Sequence, residues 1–143
     1  MSVKITNKSK HPLPHYETNG SAGMDVRANL EEPILIPPFG RALVKTGLFL
    51  EMQNGIECQV RPRSGLALKH SITVLNTPGT IDAGYRGEIG VILINHGKQA
   101  FKITQGMKIA QMVIAPVLHV DIEEVQGLTE TRRGEGGFGS TGY

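Results

Sequence analysis

Apolar and polar residues alternate with a period of two along nearly the whole chain, and helical periodicity is almost absent. Successive side chains of a strand point to opposite faces, so this pattern restricts the chain to half-buried sheet. Strands are expected over residues 3–7, 24–28, 42–45, 48–52, 56–61, 72–75, 88–94, 100–103, 108–114 and 117–125. Asn54-Gly55, between two of them, predicts a hairpin with a type I′ turn, which needs positive φ at both central positions. Pro33, Pro37, Pro38, Pro62, Pro78 and Pro116 punctuate the rest. One short helix is expected over residues 64–69, with Ser64 as its N-cap. Glycine (18) and proline (8) are somewhat above average usage in 143 residues, which again favours short strands joined by turns. The expectation is an all-β, single-domain, jelly-roll-like sandwich over residues 1–131, followed by a glycine-rich tail over 132–143.

Charge and cysteine content narrow the function classes. A net charge of +2, with basic residues placed singly or in pairs, is too small for a surface that coats nucleic acid, so any bound anion should be small. A lone cysteine, Cys58, rules out an internal disulfide framework and fits a reducing, cytoplasmic compartment. The first residues, Met1-Ser2-Val3-Lys4-Ile5, open no long apolar run, so neither a signal peptide nor a membrane span is expected. His11 and His15 are four apart, but Pro12 and Pro14 forbid the helix that would pair them on zinc. With His70, His96 and His119 scattered, all five histidines read as structural or surface groups.

The tail carries five glycines and no aliphatic residue in twelve positions, Arg132 to Tyr143, and cannot order itself by burial. Its arginines suit phosphate oxygens, its glycine amides can approach an anion, and Phe138 can stack on a base. A Walker-type loop is excluded, because Lys-Ser or Lys-Thr and a following helix are missing. The tail reads as a lid that orders over a nucleotide.

Two internal segments carry unusual polar chemistry. In Arg61-Pro62-Arg63-Ser64-Gly65-Leu66-Ala67 a strand gives way to the short helix, and amide donors, a hydroxyl and Arg63 make an anion site. The plainer alternative is that Ser64 only caps and Arg63 only solvates. The segment from Leu75 through Asn76 and Asp82 to Glu88 reads as two strand ends joined by a tight turn, a hairpin whose backbone can meet a base edge while Asp82 acts as a general base toward water. Its alternative has Asp82 paired with Arg86 and Tyr85 filling core. Asp25 is either buried and paired or holds a hydrated metal. Gln111 either orients water or phosphate or is simply exposed.

Taken in order, Ala22-Gly23-Met24-Asp25-Val26, Pro62 to Ala67, Gly79 to Ile89, Gly106-Met107-Lys108-Ile109-Ala110-Gln111 and Arg133 to Gly142 resemble the five motifs of the trimeric deoxyuridine triphosphatases, in register over essentially the whole chain. Val26 and Lys108 depart from the leucine and arginine of many members, and a lysine cannot reproduce a bidentate arginine contact.

The resemblance implies hydrolysis of dUTP to dUMP and pyrophosphate with Mg2+, in a homotrimer whose subunits share their active sites, keeping uracil out of DNA and supplying dUMP for thymidylate synthesis. It implies that Asp82 activates the water attacking the α-phosphorus and that Tyr85 packs under the deoxyribose. Asn76, Thr80, Ile81 and Gly90 would frame the uracil pocket, while Arg63, Ser64, Gly65 and Gln111 hold phosphates. Phe138, next to Gly139, would stack on uracil, and Arg133 would meet the γ-phosphate. No side chain is expected to bind the metal directly, Asp25 reaching it through water at most. The competing readings are a deoxycytidine triphosphate deaminase of related fold, less favoured by Asp82 with Tyr85 and by Gly65 after Arg63-Ser64, and a non-enzymatic jelly roll with a tail for a partner.

Overall fold

The computed structural model describes residues 2–142; Met1 and Tyr143, which the expected body and tail include, lie outside the described residues. The strands are β1 (Lys4–Asn7), β2 (Met24–Arg27), β3 (Ile34–Ile36), β4 (Arg41–Glu51), β5 (Ile56–Arg61), β6 (Ile72–Val74), β7 (Gly79–Ile81), β8 (Glu88–Asn95), β9 (Phe101–Ile103) and β10 (Lys108–Pro116), with helix α1 (Ser64–His70) between β5 and β6. They form one four-stranded sheet ordered β1-β4-β8-β6, a second ordered β2-β10-β5-β7, and a two-stranded sheet β3-β9. All pairings are antiparallel. This is the expected all-β, jelly-roll-like sandwich with one short helix.

Alternation places the core between the sheets. Ile89, Val91 and Leu93 of β8 are buried while Gly90, Ile92 and Ile94 turn outward, and Ile56, Cys58 and Val60 are the buried alternates of β5. With Val26, Val44, Ile72, Ile103 and Ile109 they make one apolar cluster, each large aliphatic side chain contributing roughly 1.5–3 kcal/mol on burial.

Several sequence expectations need correction. The strands expected over 42–45 and 48–52 are one strand, β4, whose register against β8 slips between Lys45 and Phe49. At that bulge Gly47 takes φ +71, its N–H donates to Glu88 Oε1 at 2.8 Å, and Thr46 Oγ1 donates to Ile89 O at 2.7 Å. The polar pair thus marks a bulge, not a gap. Strands β3 and β7 were not expected; the first is hidden between Pro33 and Pro37-Pro38, the second inside the segment read as a turn. At Asn54-Gly55 only Gly55 has positive φ, +90, so the turn is not type I′. Arg63, not Ser64, is the N-cap of α1, with extended φ and ψ and no side-chain capping bond.

Residues 117–125 form no strand. Both edges of β10 are taken, by β2 and β5; the Val117 N–H still donates to Gly55 O at 2.9 Å, but past it no strand pairing forms among the described residues, and Leu118, Val120 and Ile122 stay exposed although they alternate. Nor do β7 and β8 form a hairpin: β7 pairs β5 in one sheet and β8 pairs β4 and β6 in the other. The link at residues 82–87 crosses from sheet to sheet.

Candidate active site

Three of the five segments meet at one end of the second sheet. Gln111 of β10 is opposite Asp25 of β2 on one side and Arg61 of β5 on the other. That register brings the end of β5 and the start of α1 beside them. Asp25 Oδ1 lies 2.9 Å from Arg63 Nε, and Asp25 Oδ2 lies 2.8 Å from Lys108 Nζ. Arg63 Nη1 donates to Lys108 O at 3.3 Å, and Gln111 Nε2 donates to Pro62 O at 3.0 Å. Asp25 is therefore paired, and Gln111 is partly buried and tethered, not simply exposed.

Lys108 carries the cluster one residue further, since Nζ also donates to Glu17 Oε1 at 3.0 Å, with His15 Nε2 3.6 Å beyond. Hydrogen bonds to Asp25 first and Glu17 second hold the Lys108 pKa above its ordinary value, and the bond from Lys108 holds that of Glu17 below its own. Sequence reasoning missed Glu17; only its place in a segment rich in turn residues hinted at a fixed position. Ser64 is the first helical residue, and among the described residues its hydroxyl makes no hydrogen bond, so it does not cap the helix. Gly65 is exposed, with open space where a β-carbon would stand. Arg63, Ser64, Gly65, Lys108 and Gln111 together make a cationic, donor-rich edge suited to phosphate.

The third segment builds a separate pocket. A cavity of about 170 Å³ is lined by Thr80, Ile81, Asp82, Tyr85, Glu88, Ile89 and Gly90. Arg86 Nη1 donates to Ala83 O at 2.6 Å and to Tyr85 O at 3.1 Å, so it is bound to backbone and not to Asp82. Tyr85 is 48% exposed, not core, and its hydroxyl donates to Glu88 O at 3.1 Å. Asp82 is exposed and, among the described residues, its carboxylate has no ion-pair or hydrogen-bond partner. Asn76 precedes β7; the Leu75 N–H bond to Ile92 O, 2.8 Å, extends the β6–β8 ladder and carries Asn76 toward the Gly90 end of the pocket. Glu88 is a further lining residue that the sequence did not single out.

These two parts lie apart within one chain. Ile81 pairs with Cys58, and Arg63 follows Cys58 by five residues, on the order of 16 Å along an extended strand. The tail touches neither part: among the described residues past Val117, every hydrogen bond is internal, such as Arg133 Nε to Gly136 O at 2.9 Å, and Phe138 is fully exposed.

For a metal, no group of three or more His, Cys, Asp and Glu comes together among the described residues. Both Asp25 oxygens already face cations. That donor set fits an ion held by a ligand's own oxygens, not one caged by the protein. No helix among the described residues is long and apolar enough to cross a membrane.

Comparison with known proteins places these features in a family. The sequence model of the dUTPase family matches residues 9–142. A deoxyuridine 5'-triphosphate nucleotidohydrolase of Crocosphaera subtropica is 60% identical over 143 residues, covering 99% of both chains. Among solved structures, the dUTPase of Staphylococcus bacteriophage 80alpha with dUPNHPP superposes with a TM-score of 0.89 at 24% identity over 99% of both chains. A dUTPase variant from phage phi11 of S. aureus, described with a structural Mg(II) ion, gives a TM-score of 0.81 at 22% identity, over 91% of this chain and 100% of that one.

Proposed function

The chain belongs to the dUTPase family, and from that premise we propose that it hydrolyses dUTP to dUMP and pyrophosphate at a site assembled from the pocket of one subunit, the cationic edge of a second and the tail of a further copy. The observation that carries the reading is the Asp82 carboxylate, without a partner among the described residues, at a small pocket whose Ile81 pairs with Cys58, five residues before Arg63 or on the order of 16 Å along an extended strand. A single copy holds both parts of a nucleotide site but not side by side.

The chemistry follows from the residues. Asp82 takes a proton from water as the water oxygen attacks the α-phosphorus, and the bond to the β-bridging oxygen breaks to release pyrophosphate. Tyr85 packs its ring under the deoxyribose, where a 2′-hydroxyl would not fit. Asn76, Thr80, Ile81 and Gly90 frame uracil; a cytosine edge would leave buried polar groups unpaired at roughly 1–3 kcal/mol each. Arg63, the Ser64 hydroxyl, the Gly65 amide and Gln111 hold the phosphates. Arg133 then meets the γ-phosphate, and Phe138 and Gly139 close over the base while water is excluded. Asp25 would reach Mg2+ only through water, and the ion, when bound with the substrate, would supply charge neutralisation to the triphosphate. Removing dUTP keeps uracil out of DNA and supplies dUMP for thymidylate synthesis.

A homotrimer accounts for two unpartnered features. Leu43 of β4 is directly opposite Ile92 of β8 on the outward face of the first sheet, beside Ile94, and Leu43 is 61% exposed. Residues 118–125 alternate like a strand yet, among the described residues, pair with no strand. A neighbouring subunit supplies both. A reducing cytoplasm suits the buried, free Cys58.

Pyrophosphate release from dUTP, against dCTP, dTTP and UTP, tests the assignment, and ammonia release from dCTP identifies a deaminase instead. Asp82→Asn should keep nucleotide binding while losing about 10²–10⁴-fold in kcat; a variant within threefold of the parent removes Asp82 from that role. Sedimentation should give about three times the 15.5 kDa chain, and a fully active monomer refutes the shared site.

A further inference from the structure

We propose that Glu17 is a positioning residue for the triphosphate: by giving Lys108 a second carboxylate partner besides Asp25, it fixes the Asp25–Arg63 pair in the orientation that receives phosphate. This rests on the function proposed above and adds a residue outside the five matching segments.

The geometry is a run of alternating charges, Glu17 to Lys108 at 3.0 Å, Lys108 to Asp25 at 2.8 Å, and Asp25 to Arg63 at 2.9 Å. Arg63 spends its Nε proton on Asp25 and a proton of Nη1 on Lys108 O, which leaves the Nη2 side of the guanidinium for a phosphate. Its aim therefore depends on where Asp25 stands. Asp25 in turn is held on its second oxygen, among the described residues, by Lys108 alone. A lysine ammonium is a point charge on a flexible four-carbon stem, and unlike a guanidinium fork it fixes no plane. One carboxylate leaves it free to rotate, whereas two define its position. Glu17 is the second carboxylate. The Lys108 side chain is only 28% exposed, so the stem is confined and the head group sits at the junction.

The charges make the idea separable from simple electrostatics. Removing a carboxylate near a polyanion site should, through space alone, tighten anion binding. Loss of positioning does the reverse, because Arg63 must then be ordered at the moment of binding.

Glu17→Gln is the first variant, measured as the full-length protein. The expected result is a KM for dUTP raised about three- to fivefold, the scale of one partly exposed ion pair, with kcat within twofold and melting unchanged. Calorimetric affinity for inorganic tripolyphosphate should fall by the same factor while that for dUMP holds. Adding Lys108→Arg to Glu17→Gln should restore both values, since a guanidinium can bridge to Asp25 without the second anchor. An unchanged or lowered KM, an equal loss for dUMP, or lowered melting overturns the proposal. Failure of the unmodified chain to cleave dUTP would instead strike the functional reading, and the tripolyphosphate comparison would still decide the role of Glu17.

Discussion

Gly23 stands so close to Gln111 that a β-carbon there would overlap its Oε1. The clash is with the far end of a flexible side chain, so Gly23→Ala should leave the fold intact and displace Gln111, breaking its bond to Pro62 O. Steady-state kinetics beside thermal melting should show KM for dUTP raised about tenfold, the scale of one lost hydrogen bond to a charged group, with melting nearly unchanged. An unaltered KM would remove Gln111 from the phosphate site. Cys58 gives a second residue-scale expectation. Burial, foremost, and the charge of Glu57 push its thiol from 9.0 to about 12. Above pH 9 the unfolded chain gives up this proton while the folded chain keeps it, so the thiol contribution is fully present below pH 9 and is lost as pH rises toward 12, at about 1.4 kcal/mol per pH unit. Urea unfolding between pH 9 and 11 should show a slope that Cys58→Ala reduces by that amount; equal slopes would mean the thiol opens to water before the chain unfolds.

At the scale of elements, a polar side chain closes the sandwich. Asn95 at the end of β8 is fully buried; Nδ2 donates to Ile36 O at 3.0 Å and to Gln99 O at 2.7 Å, and Oδ1 accepts the Gly97 N–H at 2.8 Å. Asn95→Leu keeps the branched heavy-atom shape and strands three backbone groups, at a cost of about 3 kcal/mol or more, so melting should drop by roughly 10 °C. A loss under 2 °C, or about 0.5 kcal/mol at this size, would mean water replaces the amide. The same element shows what sequence could reveal. Alternation from Glu88 to Asn95 made β8 plain, as it did β5, because an edge between core and solvent imposes period two. Pairing was less legible. The bulge at Gly47 depends on Glu88 from another strand, and the crossing at residues 82–87 depends on which sheet each neighbour joins, neither of which is local. The site shows the same division: Arg63 and Asp82 stand out from their own neighbours, whereas Glu17 matters only through Lys108, 91 positions away.

For the whole molecule, the tail is the part whose role exceeds its contribution to folding. Residues 132–142 are almost entirely exposed and, among the described residues, bond only to one another and to the adjacent Thr131, so they add little burial and little stability. Over a bound triphosphate the same residues bring Arg133 to developing charge and exclude water, effects that act mainly in the transition state. Deleting residues 132–143 should therefore leave circular-dichroism melting and sedimentation nearly unchanged, while initial rates fall by about 10²–10³-fold, the scale of one lost donor to a developing anion. Phe138→Ala should give a partial version, a stacking loss of about 1–3 kcal/mol that appears mainly as weaker nucleotide binding. Because stability and turnover are set by different segments, the two readouts should part. If truncation lowers the melting temperature in step with the rate, residues 132–143 are structural, and closure over the nucleotide has to be sought elsewhere in the assembly.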